Sequence, residues 1–216
     1  LENLLGYPTL TAGLVMGPRG ITSMLSMMLV GRLTGRLDTR LLVGAGILIS
    51  AFGSYAMTAY DLRIDIWWAI WPILIQGLGL GMIYVPLSTL SLATLKPEQM
   101  SEAAGLFSLL RTVGSSIGIS IVSTLYTRLG QREWNLLGGH INPFNPDLWT
   151  YLHAHGLELS SALTGPLLGR ELSRQANMLA LINVMEFITW SFLAMLPFVL
   201  LVRDVGKTRR PPPVMD

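Results

Sequence analysis

Three ionisable side chains sit inside stretches that are otherwise apolar: Arg19, Arg111 and Glu186. A charge in hydrocarbon is costly, so such groups face a cavity or a partner and mark ligand or ion paths. Arg19 lies between Pro18 and Gly20, which weaken the local helix ladder, and Thr22, Ser23 and Ser26 share its face. Ser108, Arg111 and Ser115 form a second polar stripe. Both arginines are candidates to shape a polar cavity; the plainer alternative is that they bond neighbouring carbonyls and lock helices together. Arg111, about 10 Å into its stretch, could also snorkel to the surface. Glu186 has Asn183 three residues earlier on its face. It is a candidate proton carrier, a partner for Arg19, or a carboxylate reaching to the outer interface. Gln76 and Tyr84 are polar handles able to line a cavity, and Met24, Met27 and Met28 form an adaptable apolar patch.

Soluble-type catalysis finds little support. No His-Glu-x-x-His motif occurs, and no nucleophile–base pair stands out, so no enzyme is expected. His153-Ala154-His155 matches no strong metal spacing, and no metal or organic cofactor is expected. Cysteine is absent, which excludes disulfides and thiol chemistry. Gly77, Gly79 and Gly81 follow no strand and are not a phosphate loop. Gly77-xxx-Gly81 and Gly114-xxx-Gly118 instead fit close helix packing.

The elements that must position these groups follow from composition. Of 216 residues only 13% are charged, against about 25% in soluble domains, and 51% are hydrophobic. The formal charge is +2, and the basic residues stand singly at segment ends, unlike a nucleic-acid stripe, so no nucleic-acid partner is expected. Five apolar spans are long enough to cross a bilayer, at about 10–30, 41–60, 66–92, 104–126 and 178–202. Residues 1–9 read as an external loop, 128–177 as a long external or periplasmic connection, and 203–216 as a basic, Pro-rich cytoplasmic tail. Within the long connection, Asn142-Pro143-Phe144-Asn145-Pro146 reads as a rigid turn, and 148–155 and 167–174 are weakly amphipathic. The basic turn 31–40 fixes orientation by the positive-inside rule, with the first end of the chain outside and the last in the cytoplasm. Trp67, Trp68 and Trp71 then fall in the outer aromatic belt. An external start without an export signal implies at least one preceding helix, as in transporters built from 3+3 repeats.

With the spans placed, the chain resembles the C-terminal part of EmrB/QacA-type drug:proton antiporters, the fourteen-helix branch of the major facilitator superfamily. The residues that carry the likeness are Leu5-Gly6-Tyr7, Thr11-Ala12-Gly13-Leu14 and Gly17-Pro18-Arg19-Gly20. They continue with the 31–40 turn, Gln76-Gly77, Val85-Pro86-Leu87-Ser88-Thr89, Arg111 with Gly114 to Gly118, and Pro143-Phe144-Asn145-Pro146. The turn resembles the family's cytoplasmic gating-loop motif, here Gly31, Arg32, Arg36, Asp38 and Arg40, with Gly35 where the pattern has aspartate and Asp38 where it has glycine.

The resemblance implies an all-α membrane protein, five transmembrane helices forming most of the C-terminal half of a major-facilitator-type transporter. It implies alternating access, with the proton gradient as energy source and a hydrophobic small molecule as cargo, in a bacterial cytoplasmic (inner) membrane. The implied partners are the N-terminal half of the same transporter, the lipid bilayer, and a periplasmic adaptor with an outer-membrane channel. The last helix, with Glu186, is implied to be peripheral. The competing reading is a non-transporting anchor or assembly partner acting through the long external connection.

Overall fold

A computed structural model describes residues 9–34, 37–61, 64–92, 97–142, 144–154, 156 and 164–201. Residues 1–8 of the expected external segment 1–9, Gly35 and Arg36 of the basic turn, Lys96, Pro143, His155 and the tail from 202 onward lie outside the described residues, while Thr9 already belongs to a helix. Among the described residues six α-helices follow in order: α1 (Thr9–Leu33), α2 (Thr39–Ala56), α3 (Ile66–Leu92), α4 (Met100–Gly138), α5 (Pro146–Ala154) and α6 (Thr164–Leu201). A 3-10 turn, Met57–Ala59, extends α2, and another, Pro97–Gln99, leads into α4. Five of the helices, all but α5, are long and apolar enough to cross a membrane.

The long connection expected over 128–177 is largely helical, which corrects its reading as a loop. α4 runs on to Gly138 and α6 already begins at Thr164. At 39 residues, α4 spans about 58 Å, nearly twice a hydrocarbon core of about 30 Å. The apolar run ends near 126, but the following Arg-Leu-Gly-Gln-Arg-Glu-Trp-Asn-Leu-Leu contains good helix formers and no proline. Loss of hydropathy therefore marks where the helix leaves lipid, not where it stops. α5 covers most of the first amphipathic stretch and is pinned by Leu148 and Leu152, both buried; the second stretch lies within α6.

α3 packs on both α1 and α2, α2 packs on α6, and α6 packs on α4, while α3 and α4 barely touch. Glycine permits these approaches. A Cβ on Gly77 would stand 2.7 Å from the Arg19 carbonyl oxygen, and one on Gly79 2.7 Å from that of Gly46. Gly114 and Gly118 have nothing within 4 Å, so this pair brings no described helices together. One small core, Val15, Met57, Ala69 and Ile73, joins α1 to the α2 turn and α3; another, Val43, Ile47 and Val199, joins α2 to α6.

Candidate functional site

The site grows from the α1–α3 seam. Pro18 lies inside α1, where it supplies no N–H, and the Thr22 hydroxyl donates to the Pro18 carbonyl at 2.7 Å. One turn further on, Ser26 Oγ donates to the Leu78 carbonyl at 2.7 Å and ties the two helices together. On the other side of α3, Gln76 Nε2 donates to Ser54 Oγ on α2 at 3.0 Å. These bonds and the glycine contacts set α1, α2 and α3 rigidly around one end of a cavity.

That cavity, about 400 Å³, lies between α1, the turn after α2, α3 and α6. α6 contributes Met178, Leu181, Met185, Ile188 and Phe192, whose three- and four-residue spacing makes one continuous helical stripe. Arg19 and Gln76 bring polar character to a lining that is otherwise mostly apolar. The Arg19 guanidinium has no hydrogen-bond or ion-pair partner among the described residues. Tyr60 closes the end near the α2 turn, its hydroxyl donating to the Ala69 carbonyl at 2.8 Å.

A second polar pair lies further along α3, where Tyr84 follows the cavity residue Leu80 by four positions. Arg111 Nη1 donates to Tyr84 Oη at 2.7 Å, with the guanidinium carbon 5.3 Å from the ring centre. Both side chains are exposed, and from Met100 to Leu129 no residue of α4 is buried. Two candidates that the sequence offered separately are thus one unit, linking α3 and α4, which otherwise barely meet.

Glu186 joins neither group. It lies in a groove between α2 and α6 with Phe52, Tyr55 and Trp190. Arg19 lines the cavity on another face, so the Arg19–Glu186 pair, one of the alternatives for Glu186, does not form; the hundred-degree step per residue turns Glu186 away from the Met185 and Ile188 stripe. In the basic turn, Thr34 Oγ1 donates to Val30 O at 2.7 Å, and the Asp38 carbonyl accepts the Leu41 and Leu42 amides, starting α2. Gly31, Arg32, Asp38 and Arg40 are exposed there, and Arg36 is outside the described residues. Sequence reasoning did not single out Ser50 or Ser54. Both are fully buried against α3, and Gly46, Ser50 and Ser54 at four-residue spacing were the available signal.

Comparison with known proteins agrees with this architecture. The family profile of the Major Facilitator Superfamily matches residues 1–119, more than half of the chain. The fatty acid resistance protein FarB of Neisseria gonorrhoeae is 31% identical over 204 residues, covering 94% of this chain and 40% of FarB. The multidrug export protein EmrB of Escherichia coli K12 is 28% identical over 201 residues, covering 92% of this chain and 39% of EmrB. EmrB of Haemophilus influenzae is 27% identical over 205 residues, 91% of this chain and 39% of that protein. The chain thus spans about two fifths of the length of these relatives. An all-α set of membrane-spanning helices, a polar seam built on glycine contacts and a family match across that seam lead to one conclusion: the chain belongs to the major facilitator superfamily of membrane transporters, with EmrB-type exporters among its relatives.

Proposed function

We propose that the chain forms most of the C-terminal half of a proton-coupled exporter of hydrophobic compounds that works by alternating access in a bacterial inner membrane. The observation that carries this reading is the Arg111–Tyr84 pair on the bare face of α4. A cation about 16 Å along a membrane helix needs protein or water beside it, so this face borders a second half of the transporter or a wet pathway. The rest of such a transporter supplies that partner, since sites in these folds lie at the interface of repeats. Arg19 and Gln76 add a second polar element in an apolar cavity, a lining suited to amphiphilic cargo. The names of FarB and EmrB, for fatty acid resistance and multidrug export, support a hydrophobic cargo.

The basic turn from Gly31 to Arg40, with Gly31, Arg32, Asp38 and Arg40 exposed, faces the cytoplasm in this reading and helps gate that side, and the α4–α5–α6 extension projects outward. There it meets a periplasmic adaptor that leads to an outer-membrane channel.

The decisive experiment is efflux by the full-length protein carrying Arg111→Ala or Arg19→Ala at matched membrane levels. The Arg111→Ala variant is expected to lose most transport, and loss in Arg19→Ala would place that residue on the pathway too. Full efflux in both variants would return both arginines to helix locking. One observation favours the anchor reading: Phe144, at the tip of the extension, is 92% exposed. Replacing 142–163 by a short linker separates the two, because an exporter keeps substrate binding and an anchor loses all function.

A further inference from the structure

Glu186 occupies a place that neither the cavity nor the Arg111–Tyr84 pair explains. Its groove, about 390 Å³, lies between α2 and α6. Its carboxylate is exposed and has no hydrogen-bond or ion-pair partner among the described residues. The groove contains no basic side chain, and its one hydroxyl on α6, Thr189 Oγ1, already donates to the Met185 carbonyl at 2.8 Å.

The groove has a polarity gradient. At the Glu186 level, Phe52 stands 6.3 Å from Trp71, which stands 6.2 Å from Trp68. Trp67 and Trp68 are largely exposed, as befits an interfacial belt, so the carboxylate lies close to the headgroup boundary. Tyr55 and Trp190 line the groove with it. From there the two antiparallel helices carry the groove inward: Leu48 lies seven residues from Tyr55, and Leu193 seven from Glu186, each about 10 Å further along its helix. A lone acid at the interface end of an apolar trough matches an amphiphile with a cationic head and a hydrocarbon tail.

We infer that this groove binds an amine-headed membrane phospholipid, its ammonium on the Glu186 carboxylate and an acyl chain along Leu48 and Leu193. An ammonium with N–H donors makes charge-assisted hydrogen bonds to the carboxylate and rests against the ring faces. A purely anionic headgroup is repelled. The bilayer is the source because it fills any lipid-facing trough, and the carboxylate selects among the lipids already there.

The test is native mass spectrometry of the full-length protein in detergent, with phosphatidylethanolamine or phosphatidylglycerol added back, and it needs no transport activity. One phosphatidylethanolamine is expected to remain bound in preference to phosphatidylglycerol. Glu186→Gln, which keeps the shape and removes the charge, is expected to lower its occupancy about tenfold, the effect of one partly exposed charge-assisted bond. Leu193→Trp, which fills the trough and leaves the carboxylate, is expected to lower it comparably. Equal retention in wild type and both variants, or equal retention of the two lipids, overturns the proposal. So does retention of tetraphenylphosphonium with no lipid adduct, which would give the groove to a small lipophilic cation.

Discussion

Arg111 and Tyr84 are 27 residues apart, and their bond is the clearest link between α3 and α4. A hydrogen bond to a charged group is worth about 1.5–3 kcal/mol. Tyr84→Phe keeps the ring under the guanidinium but removes the acceptor, so under the proposed function efflux by the full-length protein is expected to fall roughly tenfold or more. Dye efflux from energised cells measures this, and wild-type rates would show that the ring contact suffices. The glycines of α3 answer to packing instead. Gly79→Ala puts a methyl group against the Gly46 carbonyl and Ser50, two backbone-held neighbours on α2, and is expected to cost about 1–3 kcal/mol. Gly169→Ala, with nothing within 4 Å inside α6, is expected to stabilise by up to about 1 kcal/mol through helix propensity. Thermal unfolding of the purified exporter should move in opposite directions for the two variants.

Among the elements, the α4–α6 extension departs most from expectation. Beyond the apolar runs the two helices stay paired, with Gly130 facing Asn177 and Gly138 facing Leu172. α5 folds back through Leu152, which is only 1% exposed. Leu152→Ala removes that anchor at a cost of about 2–5 kcal/mol. Because the cost falls on a small unit outside the membrane helices, α5 should become rapidly cleavable by protease while the membrane bundle unfolds at its usual temperature. A lowered bundle midpoint would mean that the extension and the bundle fold as one. The sequence carried part of this element: 148–155 and 167–174 showed as weakly amphipathic stretches, but the continuation of α4 was hidden because an apolar-run criterion is blind to a polar helix.

Across the whole molecule, helix contacts run α1, α3, α2, α6, α4, and the membrane part of α4 touches little else. Its Leu106, Leu110, Val113 and Ile117 are all exposed, beside Gly114 and Gly118. A photo-cross-linking residue at Gly118 in the full-length exporter is expected to capture another segment of the same polypeptide. Products with lipid alone would leave this face to the bilayer and remove the support that Arg111 gives to a second half.

Sequence alone determined that five stretches are long and apolar enough to span a membrane, that a tight basic turn joins the first two, and that Arg19, Arg111 and Glu186 are the charges to explain. These are local properties, set by transfer energy per residue and by turn chemistry. Only the tertiary structure decided that Arg111 meets Tyr84, that Ser26 reaches Leu78 52 residues away, and that Glu186 turns from Arg19 toward a groove of its own. The reason is that these helices are apolar around most of their circumference, because lipid and protein interior are alike in hydropathy. No polar face marks which side turns inward, so partner choice rests on glycine contacts and single hydrogen bonds between distant residues.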